Sequence, residues 1–423
     1  MHFKIILLLI VSFLFNQSLL NRALGEQQLF GDARSYSMGF THSINTYNSY
    51  LIRHNPSLIG LESKGFSIDF QMNNSFIKER RSILVKDYFG DFLTYADYVN
   101  NDNTNSNFQL GGMGSIQSKF GVGLAVLPLA SFNYNYTEEV RGSASVEDGD
   151  VGFKDPLVGY HVFNASGQLN TLSAGFSFDA NYFNIGFGFH KVLPLELKDD
   201  IHVDSLTTDI QNFSLVEDYY SKKSFDDLGQ YYSLGLSFKT NELLFTCVLE
   251  PDLLISEGVD STDFDMDAIS YLNNDGTAFN WEGLYHYKPE KFIFGLSYNP
   301  MINRDLTVSA EFESNQINTK NNNLKNYEVY KLGFEYILPS SIPVRAGLIY
   351  QTSAIALIPN QSILTFGTGN NFKNIIYDIG LSYTLFDYFY PDLFPIDDNN
   401  QNSFDKITES KLNILLTVQY LLK

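Results

Sequence analysis

The strongest constraint in this chain is an apolar–polar alternation that starts after Leu61 and recurs to the end. In "GFSIDFQM", Phe66, Ile68, Phe70 and Met72 alternate with Ser67, Asp69 and Gln71. "YYSLGLSFK", "KFIFGLSYN", "DLTVSAEFE", "YKLGFEYIL", "IIYDIGLSYTL" and the final "KLNILLTVQYLL" repeat it. Period two puts one apolar and one polar face on an extended strand. Strands are expected near 64–74, 106–117, 120–136, 169–180, 182–193, 229–239, 242–251, 291–299, 305–315, 327–338, 343–352, 362–369, 374–385 and 411–421. That is about fourteen, an even number. "FNWEGLYHYKP" (279–289) is placed in a loop.

Connection length alternates as well. Long polar segments (75–105, 137–168, 194–228, 252–290, 316–326, 353–361, 386–410) follow every odd strand, and links such as "SK", "TN", "PMINR", "PSSI" and "NNFK" follow the even ones. A soluble β-sandwich gives no reason for that rhythm. An all-β transmembrane antiparallel barrel does, with short turns in the periplasm and long loops outside. Aromatic residues make up 15% of the chain, mostly Phe and Tyr, as interfacial girdles require. In hydrocarbon every backbone N–H and C=O must be paired, and a closed barrel achieves this without edges.

Met1 to Gly25 reads as a signal peptide: Lys4, the apolar run "IILLLIVSFLF" and the small-residue site "ALG". Export to the outer membrane follows. The single cysteine, Cys247, excludes a disulfide framework. A net charge of −20 argues against nucleic acid. There is no G-x-S-x-G, no H-E-x-x-H and no calcium-loop pattern, the seven histidines are scattered, and "SFIK" has no supporting partners. No enzyme, metal or cofactor is expected.

If the apolar stripes face lipid, Asp69, Lys239, Glu311, Glu313, Lys331, Glu335, Arg345 and Asp378 face the lumen. Pairing across "PSSI" sets Glu335 beside Arg345, so a charge network of Lys331, Glu335, Arg345 and Asp378 is expected to hold the wall together. A fourteen-stranded lumen is too wide for wall side chains to fill. The irregular, Ser-, Asn- and Tyr-rich segment before the first strand is therefore expected to plug it, giving residues 1–25 as leader, 26–62 as plug and 63–423 as barrel.

"ARSYSMG" (Ala33, Arg34, Met38, Gly39) and then "RHNPSLIGL" (Asn55, Pro56) resemble the N-terminal hatch of the FadL/TodX superfamily, whose elements are A-R-x-x-x-M-G and N-P-A-x-L. "YKLGFEYILPSSIPVRAGLIYQ" and "TFGTGNNFKNIIYDIGLSY" resemble its C-terminal hairpins. Ser57 stands where the family has Ala, and the chain ends on Lys423 rather than Phe. The resemblance implies an outer-membrane passive transporter carrying hydrophobic small molecules, such as long-chain fatty acids or hydrocarbons, past lipopolysaccharide. Arg34 would pair with Glu335 or Asp378, Gly39 would permit close backbone approach, and Asn55 with Pro56 would fix the hatch turn. PorV-like members imply the alternative: a barrel serving protein secretion or surface attachment, with a secretion-system partner.

Overall fold

A computed structural model describes residues 22, 24–25, 31–60, 65–117, 119–141, 157–206, 218–258, 283–319, 324–355, 358–391, 393–394 and 404–422. Most of the expected leader, and residues 26–30 and 61–62 of the expected plug, lie outside that set.

Fourteen antiparallel strands close into a barrel. In chain order they begin with β1 (Phe66–Lys86), β2 (Phe92–Ile116), β3 (Phe120–Ser131), β6 (Gln168–Asp179), β7 (Phe183–Val192), β10 (Gln230–Lys239) and β11 (Leu243–Glu250). They continue with β14 (Glu290–Tyr298), β15 (Leu306–Gln316), β16 (Tyr327–Ile337), β17 (Pro343–Gln351), β18 (Gln361–Phe372), β19 (Ile375–Pro391) and β20 (Phe404–Leu422). β1 pairs with β20 from Phe66↔Leu422 to Ser82↔Lys406, which closes the cylinder. Each expected strand corresponds to one of these.

The alternation becomes burial. On β10, Tyr231, Ser233, Gly235 and Ser237 are buried, whereas Tyr232, Leu234, Leu236 and Phe238 are exposed. The same holds round the barrel, with Phe176, Phe187, Phe294, Phe334, Leu348, Phe366 and Leu381 outside. A continuous apolar exterior over a polar interior is the surface of a chain immersed in lipid. Among the described residues no helix is long and apolar enough to cross a membrane; the strands cross it. β7, at 10 residues, has the length a tilted membrane strand needs.

The long connections correct the sequence reading. Segment 75–105 is not a loop: β1 and β2 stay paired beyond Asn74 up to Lys86↔Phe92. Part of 386–410 likewise belongs to β19 and β20. Segments 137–168 and 194–228 contribute to a four-stranded sheet ordered β4 (Tyr134–Arg141), β5 (Leu157–Ser166), β8 (Leu195–Ser205), β9 (Tyr219–Phe225). Within 252–290, β12 (Leu253–Glu257) and β13 (Leu284–Lys288) form a hairpin, so part of "FNWEGLYHYKP" is extended, though outside the barrel as expected. The extension of β2 was illegible because "NNDNTNSN" is polar on both faces, and the outer strands because their segments are rich in acidic and other polar residues. Their order comes from ladder hydrogen bonds and from an aromatic cluster of Tyr134, Tyr136, Phe163, Tyr388, Tyr390 and Phe394. Lys239 also departs from expectation: it is exposed at the short-turn end rather than lumenal.

Residues 31–60 form three short helices, α1 (Ala33–Ser37), α2 (His42–Asn45) and α3 (Leu51–His54), then a 3-10 turn over Pro56–Leu58. Helices of one turn are not stable alone. The barrel supplies what they lack, and nearly every residue of the segment is buried.

Candidate functional site

Asp32 starts the plug. Its carboxylate caps α1 by accepting from Ser35 N (2.7 Å), and it accepts from Tyr47 N (2.7 Å) across the fold of the segment. Burial raises its pKa against those bonds. Asn55 caps the second half. Its Oδ1 accepts from the backbone N and hydroxyl of Ser57, and its Nδ2 donates to Ser43 O at 2.7 Å. Pro56 sits at the first position of the 3-10 turn, where its missing N–H costs nothing. Asn55 and Pro56 thus stand at the start of the 3-10 turn over Pro56–Leu58.

The charged residues expected in the lumen form two clusters. Arg34 on α1 makes a bidentate pair with Glu335 on β16 (3.0 and 2.7 Å), donates to Asn45 O and lies 3.9 Å over the Tyr47 ring. Glu335 also accepts from Arg345 on β17 (2.6 Å), which reaches Asp378 on β19 (2.5 Å). The chain Arg34–Glu335–Arg345–Asp378 thus joins plug to wall and one wall strand to the next. The second cluster centres on Lys331 of β16. Its Nζ donates to Glu311 (2.8 Å) and Glu313 (2.7 Å) on β15 and lies 3.0 Å from His42 Nδ1 on α2. Glu311 also accepts from Ser43 N (2.8 Å). His42, Glu311 and Glu313 lie close enough to hold a metal ion. The Lys331 ammonium already bridges the two carboxylates, and Lys291 Nζ lies 3.2 Å from Glu313, so two cations occupy that donor set. Burial, with Lys331 second, pushes the His42 imidazole well below its ordinary pKa, so it stays neutral.

Sequence reasoning missed a belt of inward-facing glycines at plug height. Gly123↔Gly175↔Gly188, Gly186↔Gly235, Gly333↔Gly347 and Gly367↔Gly380 are cross-strand partners. A Cβ on Gly186 would sit 2.1 Å from the carbonyl carbon of Pro56, and one on Gly347 would sit 1.9 Å from Gly39 N. The plug backbone lies directly on the wall backbone there. Gly39 has φ +65 and would clash with Leu332 O if substituted, while its N–H donates to Thr365 Oγ1 at 2.9 Å. Met38 beside it is fully buried and presses its carbonyl on Gly333. The signal was present: "SLGLS", "IFGLS" and "KLGFE" each place glycine where the alternation calls for a lumenal polar residue. Also missed were Ser49, which donates to Asp69 at 2.8 Å and accepts from Gln109 at 2.6 Å, and Arg53, which donates to Pro128 O at 3.3 Å.

On the long-loop side of the plug lies a cavity of about 260 Å³. Tyr36 of α1 forms its floor, Tyr285, Tyr287, Tyr327 and Ile317 one side, Ile355, Ile358 and Pro359 another, and Asn73, Thr384, Lys411 and Asn413 the β1–β19–β20 wall. Leu24 and Gly25 also line it. A wider cavity of about 710 Å³ lies on the short-turn side, lined by the Arg34–Glu335–Arg345–Asp378 chain with Asp32, Tyr47 and Gln419. Residues 31–60 separate the two.

A scan against protein-family models and a search of curated proteins each found no match. Solved structures do match. A FadL homologue of Pseudomonas aeruginosa aligns with TM-score 0.63 at 11% identity, over 94% of this chain and 100% of that one. The toluene transporter TodX of P. putida aligns at 0.58 and 14% identity, covering 93% and 99%. The toluene transporter TbuX of Ralstonia pickettii aligns at 0.52 and 13%, covering 93% and 98%. With its closed fourteen-stranded barrel and its lumen-filling N-terminal segment, the chain shares the fold of these solved FadL-homologue, TodX and TbuX structures.

Proposed function

We propose that this chain is an outer-membrane passive transporter for hydrophobic small molecules, with residues 26–62 acting as its hatch. The observation that carries the reading is the largely apolar cavity held between the plug and the long-loop end. A hydrophobic solute gains about 25 cal/mol per Å² on leaving water for such a surface, which a water-filled pore would not offer. Passage onward requires the plug to shift, because Tyr36 and the glycine-belt contacts close the floor. Met1–Gly25 is removed on export in this reading. Leu24 and Gly25 then leave the cavity lining, and Asp199 and the His286 ring lose their contacts with Arg22 and the Leu24 carbonyl. The ligand space of the mature protein is correspondingly larger. A docking role in protein secretion would not need a buried apolar cavity, so uptake is the better-supported reading. The test is uptake of radiolabelled dodecane and oleate by cells with and without this gene. Loss of uptake of at least one probe on deletion, restored by the plasmid-borne gene, is expected; equal uptake in both strains overturns the reading.

A further inference from the structure

On β8 of the outer sheet, Leu195, Leu197, Asp199 and Ile201 form the buried face, a carboxylate among aliphatic side chains. Register sets Ala165 of β5 and Ser221 of β9 beside Asp199, two small residues that leave room on that face. Arg22 takes the room. It is 1% exposed, Asp199 is 3% exposed, and its guanidinium donates to both carboxylate oxygens. Among the described residues that carboxylate has no other partner. Two positions on, Leu24 packs on the aromatic cluster of Tyr134, Phe163 and Tyr390, and its carbonyl accepts from His286 Nδ1 at 2.9 Å. Gly25 lies against the rings of Phe132 and His286. Leu24 and Gly25 also line the cavity of about 260 Å³. Residues 22, 24 and 25 therefore trace one path from that cavity to Asp199, and what they set on it is a cation on an apolar stem.

Removal of the leader takes that cation away and leaves the carboxylate. A buried charge that has lost its partner is strongly destabilising, so Asp199 calls for a new cation. Its neighbours do not offer one. On the lumenal face of β1 and β20 and the inner face of the sheet, Glu79, Glu138, Asp405 and Glu409 stand against Arg81, Lys223 and Lys411. Arg81 has no hydrogen-bond partner at Nη1 and Nη2, but Glu79 holds it at 2.7 Å and Asp405 lies 3.8 Å away. Lys223 lies over the Phe225 ring, and Lys288, beside His286, is paired with Glu250 at 3.3 Å. With Arg22 gone, carboxylates outnumber cations under the sheet. On its outer surface β8 presents Glu196, Asp200 and Asp204, and the chain carries a net charge of −20, a field that draws cations towards this end. Resting on the uptake reading and on the leader removal it includes, we propose that the exported protein binds a cationic amphiphile. Its protonated amine head pairs with Asp199 in the place of the Arg22 guanidinium. Its apolar tail takes the place of Leu24 and runs into the cavity beside Tyr285, Tyr327 and Ile355.

The test uses the protein purified from outer membranes and equilibrium dialysis at pH 7, with the same detergent micelles on both sides so that partitioning cancels. The probes are three twelve-carbon chains: dodecylamine, dodecane and dodecanoate. Dodecylamine is expected to bind at least tenfold more tightly than either of the others. Asp199→Asn should bring dodecylamine to the level of dodecane while leaving dodecane affinity within twofold. Asp200→Asn, which removes a carboxylate from the opposite face of β8, should leave the amine preference intact. The wild-type comparison decides the matter even if a variant fails to fold. An amine preference that survives Asp199→Asn, or tighter dodecanoate binding, overturns the proposal. So does equal binding of amine and alkane, which would mean that a cation of the chain itself, such as Lys223, has closed on Asp199; that result sinks this inference alone. Failure of all three probes to bind would sink the uptake reading with it.

Discussion

The two ends of the lumen are built from the same strands but solve opposite problems. On the short-turn side the plug is tied to the wall by charge and by close backbone contact: Arg34 is bidentate on Glu335, Ser43 and Lys331 share Glu311, and glycines let backbone touch backbone. On the long-loop side the wall carries tyrosines and aliphatic loop residues, and a smaller cavity of about 260 Å³, lined by Tyr285, Tyr327, Ile355 and Ile358, lies above the plug. The difference teaches that one period-two template can make a tight seat for the plug or the wall of an apolar cavity. What changes is the inward residue at each height. Glycine admits the plug's main chain, and a charged residue fixes it.

Deleting residues 31–60 should break the comparison most completely. The barrel closes through its own strand ladder, so it should still insert, but the lumen would become an open pore. Single-channel recording is expected to show a step from silence to steady conductance, and a deletion variant that stays closed would mean that something else seals the lumen. A milder blow is Glu335→Gln. It leaves Arg34 and Arg345 short of a buried carboxylate, a change costing about 3–5 kcal/mol when one partner of a buried pair is lost. Thermal unfolding in detergent should shift down markedly. Intermittent conductance should appear, while ligand affinity on the far side of the plug stays near wild type.

The smallest expected effect lies at the outer sheet and responds to pH. His161 on β5 is buried, stacked on Phe394 at 4.7 Å, and both its ring nitrogens lack partners. Burial pushes its pKa down to about 4. A locally unfolded state takes up a proton below the ordinary value of about 6.5, whereas the folded state does not until about pH 4. Stability of this sheet is therefore full above pH 6.5 and falls as pH drops towards 4, by roughly 3 kcal/mol. Hydrogen exchange should quicken in β5 over that interval while β15 and β16 are unchanged, and His161→Phe should remove the effect. Uniform quickening of barrel and outer sheet would erase the distinction between the two ends.

Much of this architecture was legible because alternation is local. Tyr232, Leu234, Leu236 and Phe238 announce a lipid-facing stripe whatever lies elsewhere in the chain. β9, "YYSKKSF", gave no such contrast, and β8, "LELKDDIHVDS", does alternate, but its many acidic residues place it among the solvated outer segments. Their pairing rests on neighbours supplied by other loops. His42 was invisible as a partner of Lys331 because nothing in "FTHS" points to a residue so far along the chain.

By itself, then, the sequence determined the number of membrane strands, the face each turns to lipid and the side on which the long connections lie. Those properties depend on side-chain period and connection length, which act within a dozen residues. Only the tertiary structure decided which lumenal group meets which. Arg34 and Glu335 stand 301 positions apart, and closure of β1 on β20 with a fixed antiparallel register is what carries one to the other. The same closure decided that glycines at one height form a seat for the plug.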